Sequence, residues 1–140
     1  MPFGSRRISI EDTALDSKEL VLRCVNAALD RKAEDVVIIK VKDVSSFADY
    51  FVICSGNSER QIQGLAEHIG QKLKQSGIIP LGIEGEHSGS WILMDYGDVI
   101  IHIFYKPVRD FYDIEGLWSD MPLMSVDSSV QELTVLNDDM

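Results

Sequence analysis

At 140 residues the chain is long enough for one hydrophobic core and too short for two ordinary domains. Its net charge of −10, from 13 Lys and Arg against 23 Asp and Glu, argues against wrapping a bare phosphate backbone, whose affinity comes from cations that release counterions, and favours a basic protein partner. No stretch reaches the ~20 apolar residues of a membrane span, and Met1 to Ile10 carries Arg6 and Arg7 without an apolar signal core, which points to a cytoplasm.

Met1 to Thr13 shows no period and reads as an N-terminal tail or a loose strand. From Asp16 the pattern changes. Asp16 with Glu19 makes a capping-box-like start, and Leu20, Val21, Cys24, Ala27 and Ala28 then share one helical face, giving a helix that ends near Lys32. Val36 to Val41 is an apolar run rich in β-branched residues, predicted as a strand covered on both faces, and Tyr50 to Cys54 is a second such strand. That strand breaks at Ser55-Gly56-Asn57 into the next helix. Ser58 with Gln61 starts it, Ile62, Leu65, Ala66, Ile69 and Leu73 repeat at its period, and Gly77 stops it. Ile78 to Ile83 reads as a short strand interrupted by Pro80, which suggests an edge strand or one beginning at Leu81. Trp91 to Asp95 and Val99 to Phe104 form a hairpin around Asp95-Tyr96-Gly97-Asp98. A last helix is predicted over Val108 to Leu117, with Pro107 at its start. The order α-β-β-α-β-β-β-α implies an α/β fold, a single mixed β-sheet of about five strands flanked by helices. One domain over residues 14–120 follows, with an acidic C-terminal tail over 121–140, in which a short amphipathic helix at Ser129 to Leu136 is the alternative.

Cys24 lies on a helical face and Cys54 at a strand end, so both read as reduced core thiols. The turn Ser55-Gly56-Asn57 can present backbone N–H groups to an anion. It is also explained without function, with Gly56 supplying an unusual backbone angle and Ser58 capping the helix. His102 stands on a strand with two apolar faces and is expected as a hydrogen-bonded core histidine, while His68 and His87 look like surface or loop residues. Strand alternation sends Trp91, Leu93 and Asp95 to one face and Ile92, Met94 and Tyr96 to the other. Period alone leaves Trp91 either filling the core or exposed beside Asp95, Tyr96 and Asp98, the make-up of a protein-binding hot spot. The aromatics of the last helix are expected to pack on the sheet, with Arg109 paired to Asp113 four residues on.

The run ADYFVICSGNS, Ala48 to Ser58, followed by WILMDYGDVIIHIF, Trp91 to Phe104, resembles the ribosomal silencing factor family, also called Iojap-like. The likeness continues in Ala66-Glu67-His68, in Pro80 to Glu86, and in Arg109-Asp110-Phe111-Tyr112 with Leu117-Trp118, so it covers roughly Ser17 to Asp120. It implies an α/β fold related to the nucleotidyltransferases. It also implies a translational repressor that docks on the large ribosomal subunit at protein fourteen and blocks joining of the small subunit, with no catalysis, cofactor or metal. In that family the hairpin meets the basic, β-rich protein fourteen, which would make Trp91, Leu93, Asp95, Tyr96, Asp98, Glu84 and Glu86 the partner-binding residues. Trp91 and Tyr96 would be the anchor and the four acids the steering charge. Related proteins form homodimers, so self-association through the last helix is a further expectation, with no membrane and no sequence-specific nucleic acid.

The alternative is a nucleotidyltransferase-type enzyme, with Ser55 and Gly56 holding phosphates and Asp49, Asp95 and Asp98 holding Mg²⁺. The chain departs from that pattern. A carboxylate pair alternating on one strand after the Gly-Ser turn is missing, since only Glu59 and Glu67 follow, on a helix, and Arg60 is the one cation beside Ser55. An active centre would require the three aspartates to converge on the Ser55-Gly56 turn.

Overall fold

The computed structural model describes residues 16–126 and 133–135, so the expected tail over residues 1–13 lies outside the described part. The first two predicted strands lie side by side: β1, Glu34–Lys40, is antiparallel to β2, Tyr50–Gly56. The hairpin β4, Trp91–Asp95, and β5, Val99–Tyr105, joins on the other side of β2, with β5 parallel to it. The strand near Pro80 begins beyond it: β3, Gly82–Glu84, is a three-residue edge strand on β4. Pro80 lacks the N–H a ladder needs.

Among the described residues two helices cover one face. In α1, Ser17–Asp30, Asp16 Oδ1 accepts from the Lys18 N–H at 3.2 Å. In α2, Glu59–Gln75, Ser58 Oγ accepts from the Gln61 N–H at 3.1 Å, and Gln61 Oε1 reaches back to the Asn57 N–H at 2.7 Å. Their apolar stripes, including Val21, Cys24, Ile62, Leu65 and Ile69, pack on Val52, Cys54, Ile92, Met94, Ile101 and Ile103. Both thiols are buried and unpaired, and burial pushes them up to about 12, as expected of reduced core cysteines. The opposite face carries Ile39, Phe51, Ile53, Ile100 and Phe104.

That second face is covered differently from the expectation. The predicted last helix is two short ones, α3, Lys106–Tyr112, and α4, Ile114–Leu117, separated by Asp113 at φ 45°. Val108, Ile114 and Trp118 pack on the sheet, as predicted for Trp118, but Phe111 and Tyr112 are exposed, contrary to the prediction, and so is Leu117. A continuous helix would have aligned Arg109 with Asp113. The break instead brings Glu115 to Arg109.

The expected C-terminal tail also differs. Leu123–Val126, β6, pairs antiparallel with β1, and Leu133–Val135, β7, pairs with β6, so among the described residues the sheet has seven strands in the order β3-β4-β5-β2-β1-β6-β7. The five predicted strands are its first five in that row. The physical reason is the unpaired edge of β1, a row of N–H and C=O groups that a short extended segment satisfies whatever its composition. The alternative of a helix reaching Leu136 is displaced by β7, and residues 127–132 and 136–140 lie outside the described part. No helix among the described residues is long and apolar enough to cross a membrane.

Candidate partner-binding surface

Strand alternation holds along β4: Ile92 and Met94 enter the helix-side core, while Trp91 and Leu93 belong to the opposite face. On that face α3 packs on β5 and β2, and β4 is left half-covered, with Trp91, Leu93 and Asp95 partly exposed in one row. Trp91 is therefore neither core nor free. Its ring lies 4.8 Å from that of Phe104, its cross-strand partner, and 5.0 Å from that of Tyr112 on α3. Tyr112 is 52% exposed and meets Phe111, 81% exposed, edge to face at 5.1 Å. Three aromatics from two elements thus meet in one partly exposed patch.

Gly85 shapes the same end of the strand. At φ 82° it packs against the carbonyl of Trp91, where any Cβ would collide with that oxygen. Beneath the patch, Trp91 Nε1–H donates to His102 Nδ1 at 3.2 Å. His102 is thus the hydrogen-bonded core histidine expected, and burial lowers it to about 4, which keeps it neutral.

The seven residues assigned from the sequence do not form one cluster. Trp91, Leu93 and Asp95 share a row, and Glu84, paired across the ladder with Leu93, extends it on the edge strand. Asp95 stands four residues from Trp91, roughly 13 Å along the strand, so the carboxylates do not ring the indole. Asp95 Oδ1 is occupied in the turn, accepting from the Gly97 N–H at 2.8 Å, and Asp98 is exposed at that same far end. Glu86 sits on the α2 side, beside a groove of about 620 Å³ lined by Gln63, Glu67 and Ile83. Tyr96 is the clearest correction. It is 8% exposed, packs with the helix-side core and has its phenol pushed up to about 12 by burial, so it is not available as an anchor. Its parity with Ile92 and Met94 already separated it from Trp91. Tyr112, expected on the sheet, takes the place beside the indole, with Phe111 against it.

The residues of the enzymatic alternative are not brought together. The Asp49 N–H donates to the Asp98 carbonyl at 2.7 Å, which puts Asp49, Asp95 and Asp98 at the start of β2, whereas Ser55 and Gly56 are at its end, roughly 20 Å away. Ser55 Oγ accepts from Arg109 Nη1 at 2.7 Å and is fully buried, so this hydroxyl is committed to the fold. Among the described residues no three His, Cys, Asp or Glu side chains gather as a metal site requires.

A family model described as "Ribosomal silencing factor during starvation" matches residues 14–139, past the Asp120 at which the likeness seen in the sequence ended. The chain is 39% identical over 116 residues to Ribosomal silencing factor RsfS of Halalkalibacterium halodurans, covering 83% of this chain and 99% of that one. It is 36% identical over 118 residues to RsfS of Bacillus subtilis, covering 84% of this chain and 100% of that one. A crystal structure of a Chromobacterium violaceum protein matches with a TM-score of 0.73 at 35% identity, over 75% of this chain and 88% of that one. On the extent of these matches and the shared α/β fold, the chain belongs to the ribosomal silencing factor family.

Proposed function

We propose that this protein represses translation in the cytoplasm by docking on the large ribosomal subunit at ribosomal protein fourteen and sterically blocking the small subunit. The observation that carries this is the half-covered face of β4, where Trp91, Tyr112 and Phe111 form an exposed aromatic patch continuous with Leu93, in a chain of the silencing family. Aromatic side chains of this kind supply large contact area at low entropic cost. Glu84, Asp95 and Asp98, and Asp110 on α3, add negative charge that favours a basic partner and repels ribosomal RNA. The mechanism needs bulk held in place and no turnover. The separation of the three aspartates from Ser55-Gly56 supports a non-enzymatic role. A second copy of the chain is the competing occupant of the patch, since an exposed aromatic surface suits self-association as well.

The test is a gradient profile of separated subunits rejoined in the presence of increasing protein. The expected result is a dose-dependent loss of joined ribosomes without added nucleotide, and a loss of that effect in Trp91→Ala and Tyr112→Ala. Full joining at saturating protein would refute the proposal, and capture of isolated protein fourteen by the wild type but not by these variants would identify the docking partner.

A further inference from the structure

The imidazole of His102 is an unusual choice for its position. It is 6% exposed, lies 11° from parallel with Phe104 at 6.2 Å, and meets Phe51 edge to face at 5.0 Å. An apolar ring would fill this space with no polar group to bury. Nδ1 accepts from Trp91, so the proton of the neutral ring sits on Nε2, and Nε2 is buried without a partner. Leaving that group unpaired is unfavourable. What the imidazole adds in return is one acceptor, aimed at the indole of a residue diagonally across the strand pair, since Leu93 is its direct partner and Phe104 that of Trp91.

The geometry points to His102 as a positioning residue for the docking surface: its Nδ1 satisfies the Trp91 N–H from below, fixing the indole so that it presents only apolar ring to the partner. This rests on the proposal above that Trp91 meets the ribosomal partner. The chemistry has a consequence for recognition. An indole N–H left free at the surface is hydrated, and docking would strip that water unless the partner offered an acceptor in the right place. With the N–H already bonded, the partner at this point need supply only an apolar pocket, and the ring does not have to be ordered on binding. Burial keeps His102 in the neutral, accepting form across the neutral range.

The experiment uses the full chain, wild type and as His102→Phe, Trp91→Phe and the double variant, against purified large ribosomal subunits by co-sedimentation. The indole N–H signals are followed by ¹H–¹⁵N NMR. The chain has two tryptophans, so Trp118→Phe assigns them. In His102→Phe the Trp91 N–H signal should move to the position of a solvated indole and exchange faster with water. Binding should weaken about two- to tenfold, the range for one neutral hydrogen bond. The melting temperature should hold or rise, because a buried unpaired N–H is removed, whereas a purely structural role would lower stability and binding together. In the Trp91→Phe background the same change should add no further loss of binding. An unmoved Trp91 signal in His102→Phe, or an equal loss of binding in the Trp91→Phe background, would overturn the role of His102. Wild-type binding by Trp91→Phe and Trp91→Ala alike would instead overturn Trp91 as the anchor, and with it the premise.

Discussion

Arg109 offers the sharpest test of how the second face is held together. It is 6% exposed and makes four hydrogen bonds: Nη1 donates to the Asp35 carbonyl and to Ser55 Oγ, each at 2.7 Å, and Nε and Nη2 donate to Glu115 at 3.0 and 2.8 Å. These bonds tie α3 and α4 to the irregular start of β1, where Asp35 takes φ 50° at a register shift. Arg109→Met keeps most of the stem and removes every bond. Ser55 loses its donor in a fully buried place and Glu115 is left without its cation. Breaking a buried pair from one side costs about 3–5 kcal/mol. The Glu115 side chain is 30% exposed and can regain water, so the lower end applies. The expected loss is about 3 kcal/mol, a large share of the roughly 5–15 kcal/mol of an ordinary domain. Ser55→Ala should cost about 1 kcal/mol, and Arg109→Met with Glu115→Leu should recover part of the single-variant loss, because no unpaired charge remains. Urea unfolding followed by tryptophan fluorescence reads these values, with the midpoint falling at constant slope. A loss under about 1 kcal/mol in Arg109→Met would refute the reasoning and show that apolar contacts of Val108, Ile114 and Trp118 alone hold the two helices.

Lys32 occupies the left-handed position after α1 at φ 60°, with the Ala33 N–H bonded to the Ala28 carbonyl, where α2 uses Gly77 at φ 81°. Lys32→Gly should therefore stabilise the fold by about 1 kcal/mol in the same urea experiment. His102 is lowered from 6.5 to about 4 in the folded state, so between those values the unfolded chain binds the extra proton and stability falls as pH drops. Wild type should lose up to about 3 kcal/mol more than His102→Phe between pH 7 and pH 4, and parallel pH profiles would remove this contribution. Asp98→Lys should slow association with large subunits and make it less sensitive to salt, since exposed acids act mainly by steering, as read by stopped-flow at two ionic strengths. Unchanged rates would take Asp98 out of the encounter. Asp95→Lys is a poorer probe because Asp95 also caps the Gly97 N–H, and it should lower stability by about 1 kcal/mol, read as a shift of its urea midpoint.

The amino-acid sequence by itself determined what local physics can decide. Ser58, Gln61 and Gly77 bounded α2, the apolar runs marked β1 and β2, and the period of two separated Trp91 and Leu93 from Ile92 and Met94. These follow from hydrogen bonds and side-chain directions within a few residues. Tertiary structure alone decided the rest. Whether Trp91 is core or surface depended on how far α3 and α4 extend over the sheet. That extent was set by a break at Asp113 and by Arg109 bonding to β1 and β2, positions 74 and 54 residues away in the chain. The pairing of Arg109 with Glu115, the exposure of Phe111 and Tyr112, and the pairing of β6 on a free edge all arise from such distant contacts. A periodic pattern records which side of an element is apolar. It does not record what covers that side, because the covering element comes from elsewhere in the chain.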